Sequence, residues 1–401
     1  MRAVTWLHIS DLHLREREEW TQKAVLSAML EDIRCRCAAG LVVDFVLVTG
    51  DLAFSGKESE YDLVVAFFGE LSAATGLPFE MIFCVPGNHD VQRERHKTLF
   101  GGARKKLQSE NDVYAFLLDT EERKTLLLRQ EGFSRFQERV FAMQERKRTA
   151  DNIGYVSVLD IVDLRIAIIG LNSAWLSEGG DTDERQIVLG EHQVIGAIDI
   201  AVCAAPHVII GMQHHPFDYL KRFDQQSTQR RIEDACHLFH CGHLHQPDAA
   251  QVVTRSGKCL TLAAGASFES RGFHNAYSVI TLDPLHAQSE VVFVQYEPSE
   301  GAFSYESRRS YSHEIGTAAS CPTVELATGI ERYCQDASDI SYYLASLLLG
   351  DVTDVPIRTD ETVAFGTPAL LSKQNDKELL EATHGALAVG RAVRLLYGTL
   401  S

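Results

Sequence analysis

The residues of this chain that could do chemistry come in five short clusters: Asp11/His13, Asp51, Asn88/His89/Asp90, His214/His215 and His243/His245. Every member offers a carboxylate, an imidazole or an amide oxygen. That mixture suits Mn²⁺, Fe or Zn²⁺ better than Mg²⁺ or Ca²⁺, which prefer oxygen-rich surroundings. In an Asp-x-His or His-x-His pair, strand-end alternation lets one residue point at one ion and its partner at the same or a second ion. An unpaired carboxylate such as Asp51 can bridge two ions. Asn88, His89 and Asp90 set a neutral oxygen donor, an imidazole and a carboxylate in succession, enough to hold a metal and move a proton. The chain has 16 histidines and only six belong to these clusters, so histidine alone carries no argument. Order and placement carry it.

Each cluster follows an apolar run that reads as a buried strand. Val4 to Ile9 ends in Ser10-Asp11-Leu12-His13, and Phe45 to Val48 ends in Thr49-Gly50-Asp51. Met81 to Val85 turns at Pro86-Gly87 into Asn88-His89-Asp90. His207 to Ile210 leads to Gln213-His214-His215-Pro216, and Leu238 to Cys241 leads to Gly242-His243-Leu244-His245. Residues 18–38 and 59–74 have helical apolar spacing and are stopped by Gly40 and Gly76. Further helices are expected at about 191–204 and 226–236, and strands at 154–158 and 165–171. Such alternation predicts a parallel α/β sheet, which places ligands at the carboxyl ends of its strands. The five clusters should therefore converge on one edge.

Three segments depart from the alternation. Residues 92–148 are charged and helical, interrupt it directly after Asp90, and read as an insertion lying over the site. The runs 250–254, 258–263, 276–282 and 290–296 read as a meander forming a second, mostly antiparallel sheet. Beyond about Gly301, residues 323–349 and 376–397 return to helical spacing. The expected division is a domain of residues 1–300 followed by a mainly helical extension, 301–401.

Composition narrows the function classes. Hydrophobic residues at 45% and charged residues at 23% are those of an ordinary globular protein. No apolar run approaches the roughly 18 residues of a membrane span, so no membrane partner is expected. The first strand begins within a few residues of Met1, leaving no room for a signal peptide, and the expected location is the cytoplasm. A net charge of −17 argues against nonspecific coating of nucleic acid. Residues 91–148 nevertheless hold 14 Arg or Lys against 9 Asp or Glu. They could attract a phosphate-bearing substrate, or form a helical face laced with ion pairs. The nine cysteines match neither a redox pair nor a zinc ribbon. Cys84, Cys203 and Cys241, among apolar neighbours, read as reduced core residues.

Asp11-Leu12-His13, Gly50-Asp51, Gly87-Asn88-His89-Asp90, His214 and Gly242-His243-Leu244-His245 resemble, in order across residues 1–300, the motifs of the calcineurin-like metallophosphoesterases. The resemblance implies a four-layer α/β/β/α sandwich with a two-metal site. It implies that one ion takes Asp11, His13 and His245, the other takes Asn88, His214 and His243, and Asp51 bridges them. His215 is then a supporting residue, since the first His of His-x-Pro matches the family ligand. His89 is expected to stabilise charge on the phosphate and to protonate the leaving oxygen, with Asp90 fixing its orientation by a hydrogen bond.

Residues 8–14 and His214-His215-Pro216 are most similar to the bacterial cyclic-nucleotide phosphodiesterase branch, and repair exonucleases share similar motifs. The expectation is a phosphodiesterase acting on a cyclic nucleotide or another small diester. One alternative is a DNA nuclease of a repair or defence system, with Arg93, Arg95, Arg104, Lys105 and Lys106 on backbone phosphates. Another is a phosphoesterase module whose C-terminal extension binds a partner or forms oligomers.

Overall fold

The computed structural model describes residues 2–17, 20–178, 183–254, 257–270 and 275–315. The helices expected at 323–349 and 376–397 lie outside the described residues. A compact unit runs from Met1 to Ile315.

Strands β1 (Val4–Ile9), β2 (Phe45–Val48) and β3 (Ile82–Cys84) run parallel, side by side. β1 is apolar almost throughout because both its faces are covered. Leu7 and Ile9 pack with residues of helices α1 (Trp20–Ala38) and α2 (Glu58–Thr75), whereas Val4 and Trp6 pack toward a second sheet. The alternation is the period-two geometry of a strand. That second sheet runs in the order β4 (Lys147–Arg148), β5 (Tyr155–Ile161), β6 (Leu164–Gly170), β7 (Val208–Met212), β8 (Leu238–Cys241), β10 (Lys258–Ala263), β9 (Asp248–Val253). Helix α7 (Glu191–Cys203) packs against β5 and β6, and α8 (Arg222–Ala235) against β10. The architecture is the expected α/β/β/α sandwich. Among the described residues, no helix is long and apolar enough to cross a membrane.

Two expectations are corrected. The parallel strands form two stacked sheets, so the clusters lie at strand ends drawn from both. The runs after β8 do not form a sheet of their own. β9 and β10 continue the second sheet, whereas β11 (Ala276–Asp283) crosses over to pair antiparallel with β1. β12 (Gln288–Glu297) and β13 (Ala302–Ser312) then extend the first sheet. Pairing with β11 satisfies the backbone groups on the open side of β1. Strand β13 had no apolar signature: within it only Phe303 is buried, and its outward side chains include Glu306, Arg308 and Arg309. Charge of this kind suits an edge strand. Cys84 and Cys241 are buried as expected, but Cys203 is exposed.

The insertion holds four helices, α3 (Lys97–Lys106), α4 (Glu110–Leu118), α5 (Thr120–Leu127) and α6 (Glu131–Val140). It is anchored at both ends of its span. Phe136 stacks on Tyr61 of α2, and Phe133 meets the same ring edge-on. Phe100, Phe116 and Leu126 share a cluster with Trp175 and Val188, in the loops after β6. Lys221 fastens α3 by donating from its buried ammonium to the carbonyls of Arg104 and Leu107, both at 2.7 Å.

Candidate metal centre

The loops leaving β1, β2, β3, β7 and β8 bring the predicted donors together in two groups. In the inner group, Asn88 Oδ1 lies 2.9 Å from both His214 Nε2 and His243 Nδ1, and these two nitrogens are 3.2 Å apart. His214 Nδ1 faces the Thr49 carbonyl at 2.7 Å. A carbonyl only accepts, so Nδ1 carries the ring proton and the Nε2 lone pair points into the group. Three electron-pair donors converging on one point are satisfied by a cation or by a proton. Burial alone would lower the pKa of His214, but Asp51 and Asp11 raise it to about 9. A metal ion would take that proton's place.

In the outer group, Asp11 Oδ1 is buried and accepts no hydrogen bond, although His245 Nε2 stands 3.2 Å away and His13 Nε2 3.8 Å away. Burial likewise lowers His245, and Asp11 and Glu269 raise it to about 9. Glu269, in the loop after β10, holds His245 Nδ1 at 2.6 Å, a carboxylate–imidazole arrangement that orients metal-binding histidines. Between the groups, Asp51 Oδ2 is 3.5 Å from His214 Nε2 and 4.0 Å from His13 Nδ1. Its Oδ1 accepts the His89 backbone N–H at 2.7 Å. His13, Asp51 and His89 form a further set of mutually close donors, as do Asp11, Asp51 and His214. The donor chemistry and the orphaned Asp11 oxygen fit divalent ions.

The backbone is bent to make this convergence. Asp11, His13, Asp51, His243 and His245 all have φ between 48° and 71°, a left-handed conformation that non-glycine residues seldom adopt and that clusters at functional sites. Two neighbouring glycines allow close approach. A Cβ on Gly87 would collide with the Asp51 carboxylate, and one on Gly242 with the Ser10 hydroxyl.

The expected orientation of His89 by Asp90, and the expected placing of the basic residues, are corrected. His89 Nδ1 donates to the Phe54 carbonyl at 2.8 Å; it is not oriented by Asp90. The Asp90 carboxylate instead accepts from the backbone N–H groups of Leu52, Ala53 and Gly87 and from the Tyr61 hydroxyl. Asp90 therefore ties the loops after β2 and β3 together from below. Burial, with Asp51 nearby, pushes its carboxyl up to about 7 against those hydrogen bonds. His215 bonds Ser173 Oγ at 2.9 Å through Nδ1, and a ring nitrogen of His215 lies within 4.8 Å of donor atoms on His214 and His243. Burial holds its pKa well below the usual value. Of the residues expected on backbone phosphates, Arg104 is buried against Glu178 and Asp183, and Arg95 pairs with Glu131 at 2.5 Å. Arg93 is exposed, its Nη2 3.4 Å from both His89 ring nitrogens.

Residues 4–247 match the family profile described as calcineurin-like phosphoesterase. A curated relative, an uncharacterised metallophosphoesterase-like protein of Bacillus subtilis, is 22% identical over 298 residues, which is 72% of this chain. The chain spans only 59% of that relative's length. Among solved structures, a conserved uncharacterised protein of Streptococcus pneumoniae is 14% identical, with a TM-score of 0.30 over 78% of this chain and 99% of its own. A phosphatase of Mycoplasma pneumoniae is 11% identical, with a TM-score of 0.33 over 79% and 96%. At such TM-scores neither structure adds to the argument.

Proposed function

The chain belongs to the calcineurin-like phosphoesterase family, and from that premise we propose that it is a metal-dependent phosphodiesterase acting on a small diester. The observation that carries the reading is the buried Asp51 carboxylate between two groups of donors. In this proposal Asn88, His214 and His243 hold one ion, Asp11, His13 and His245 hold the other, and Asp51 serves both. When bound, two divalent ions lower the pKa of a shared water and neutralise phosphoryl oxygens. The mixed oxygen and nitrogen donors favour Mn²⁺ or Fe, with Zn²⁺ as the alternative.

His89 supplies the proton for the leaving oxygen. Its Nδ1–H is committed to the Phe54 carbonyl, so Nε2 is the nitrogen that transfers. A poor alkoxide leaving group gains most from such a donor, which is why a diester is favoured over an activated monoester. Arg93 adds positive charge beside that nitrogen. The nuclease reading is weakened because Arg95 and Arg104 already have carboxylate partners.

The test is hydrolysis by the Mn²⁺-loaded full chain of bis(p-nitrophenyl) phosphate, p-nitrophenyl phosphate, cyclic nucleotides, and single- and double-stranded DNA. The diester and at least one cyclic nucleotide should be cleaved faster than the monoester. Hydrolysis of the monoester alone, or robust salt-sensitive degradation of DNA alone, would overturn the proposal.

A further inference from the structure

A cavity of about 590 Å³ opens where the insertion meets the edge of the second sheet. Its volume falls within the roughly 300–1,000 Å³ of small-molecule sites. None of the donors proposed for the metals lines it. Its floor is apolar and buried, made by Val85 after β3, Phe133 of α6, Ile153 just before β5 and Tyr155 within it. Leu127 and Leu128, where α5 ends, form one wall, and Leu128 is 37% exposed. An apolar side chain laid on these faces would remove them from water.

Most polar groups around the cavity already have partners. Gln130 and Asn172 bond each other through their amides, with Asn172 Nδ2 donating to Gln130 Oε1 at 2.7 Å. Glu131 is held by Arg95 and Arg135, at 2.5 and 2.7 Å. Lys124 meets Glu121 at 3.4 Å. Two charges of opposite sign remain at the mouth, Arg148 of β4 and Glu138 of α6, and both reach solvent. Among the described residues Arg148 contacts an uncharged oxygen, Gln137 Oε1 at 3.4 Å, and neither Arg148 nor Glu138 enters an ion pair. Partial burial, then the charge of Arg146, lower the Arg148 pKa, while Glu138 is near enough to act in the opposite sense. The two are neighbours that do not neutralise each other. The guanidinium fork matches a carboxylate, and the Glu138 carboxylate accepts from an ammonium. One small zwitterion would satisfy both.

We infer that this cavity binds a free α-amino acid with an apolar side chain, its carboxylate on Arg148, its ammonium on Glu138 and its side chain on the floor around Phe133 and Tyr155. The site is independent of the proposed phosphodiesterase activity.

The test is calorimetric titration of the Mn²⁺-loaded full chain with three probes that share a phenyl group. L-Phenylalanine carries both charges, 3-phenylpropionate lacks the ammonium, and 2-phenylethylamine lacks the carboxylate. In the parent, L-phenylalanine should bind about fivefold more tightly than either analogue, the upper worth of a partly exposed ion pair. L-Alanine, with both charges but no ring, should bind at least about tenfold more weakly than L-phenylalanine. Arg148→Gln should bring L-phenylalanine level with 2-phenylethylamine, and Glu138→Gln should bring it level with 3-phenylpropionate. Both changes lie at the surface, and an unchanged melting temperature checks that the fold is intact. Amino acids also chelate divalent ions, so binding at the metal centre is the competing explanation. Such binding would survive both substitutions and would not separate L-phenylalanine from L-alanine. That pattern, no binding of L-phenylalanine, or equal affinity of the three probes in the parent overturns the site.

Discussion

The inner and outer halves of the metal centre use the same kinds of donor but differ in their access to water. Asn88 and His214 are enclosed, with His243 half-buried beside them, and His214 faces a backbone carbonyl; in the outer half only Asp11 is enclosed. His13 and His245 have side chains 12% and 24% exposed, and His245 is held by a carboxylate that itself reaches solvent. Enclosed donors with buried partners retain one geometry, whereas donors at a rim can adjust as substrate arrives. In the proposed scheme the enclosed donors would hold an ion and the rim donors would meet substrate, with Asp51 between them.

Removing that junction should have the largest effect. Asp51→Asn keeps the volume but cannot neutralise two cations, so turnover of bis(p-nitrophenyl) phosphate should fall to background while circular dichroism is unchanged. Two bound ions by elemental analysis together with near-normal rates would break the scheme.

His89→Ala tests whether the outer half also carries the proton. It should retain both ions and lose on the order of 10²–10⁴-fold in rate, the usual range for a general acid. Alkyl esters should suffer more than aryl esters, whose leaving groups need little help. Equal losses would leave His89 a purely electrostatic role.

Acidity should weaken both halves. His214 and His245 each sit at about 9 before an ion arrives, so binding must displace a proton, and affinity falls as pH drops below 9. The expected slope between pH 8 and pH 6 is on the order of tenfold per unit for each site, read by chelator competition. If only one phase depends on pH, one of the two histidines is not a ligand.

The smallest effect should come from Glu269→Gln. An amide oxygen still accepts from His245 but without the charge, and such supporting changes cost about 10- to 100-fold in metal affinity. The loss should fall at the low end and on the outer ion alone, leaving the tighter chelator phase untouched. Loss of both phases would mean that the halves are not separable.

Much of this centre was legible in the sequence, because each cluster directly follows a buried strand and strand ends point one way. The five strands, their clusters and the insertion were found from local pattern alone. What escaped depends on partners distant in sequence. Glu269 reaches His245 from 24 residues away across a loop, and nothing in its neighbourhood marks it. The crossing of β11 from one sheet to the other follows from the open side of β1, more than 260 residues upstream. Asp90 looked like a partner for His89 because the two are adjacent, yet successive residues in a turn diverge. Its carboxylate serves the loop beneath. Arg104 looked like part of a basic run with Lys105 and Lys106. Helical geometry turned it inward to Asp183 and left the two lysines exposed.

The left-handed backbone at Asp11, His13, Asp51, His243 and His245 sets the stability of the scaffold against the chemistry it performs. Each such residue costs the folded state about 1–3 kcal/mol, a burden that selection for stability alone would remove. Glycine at any of the five would relax the chain and delete a donor in the same step. Improvement of melting temperature and survival of the reaction should therefore pull in opposite directions at these positions. His13→Gly is the clearest instance, since burial lowers its imidazole to about 4, so it is neutral before an ion arrives and no ion pair is lost with it. In excess chelator that variant should melt no lower than the parent while having lost the outer ion, a gain in durability that only an idle enzyme could keep.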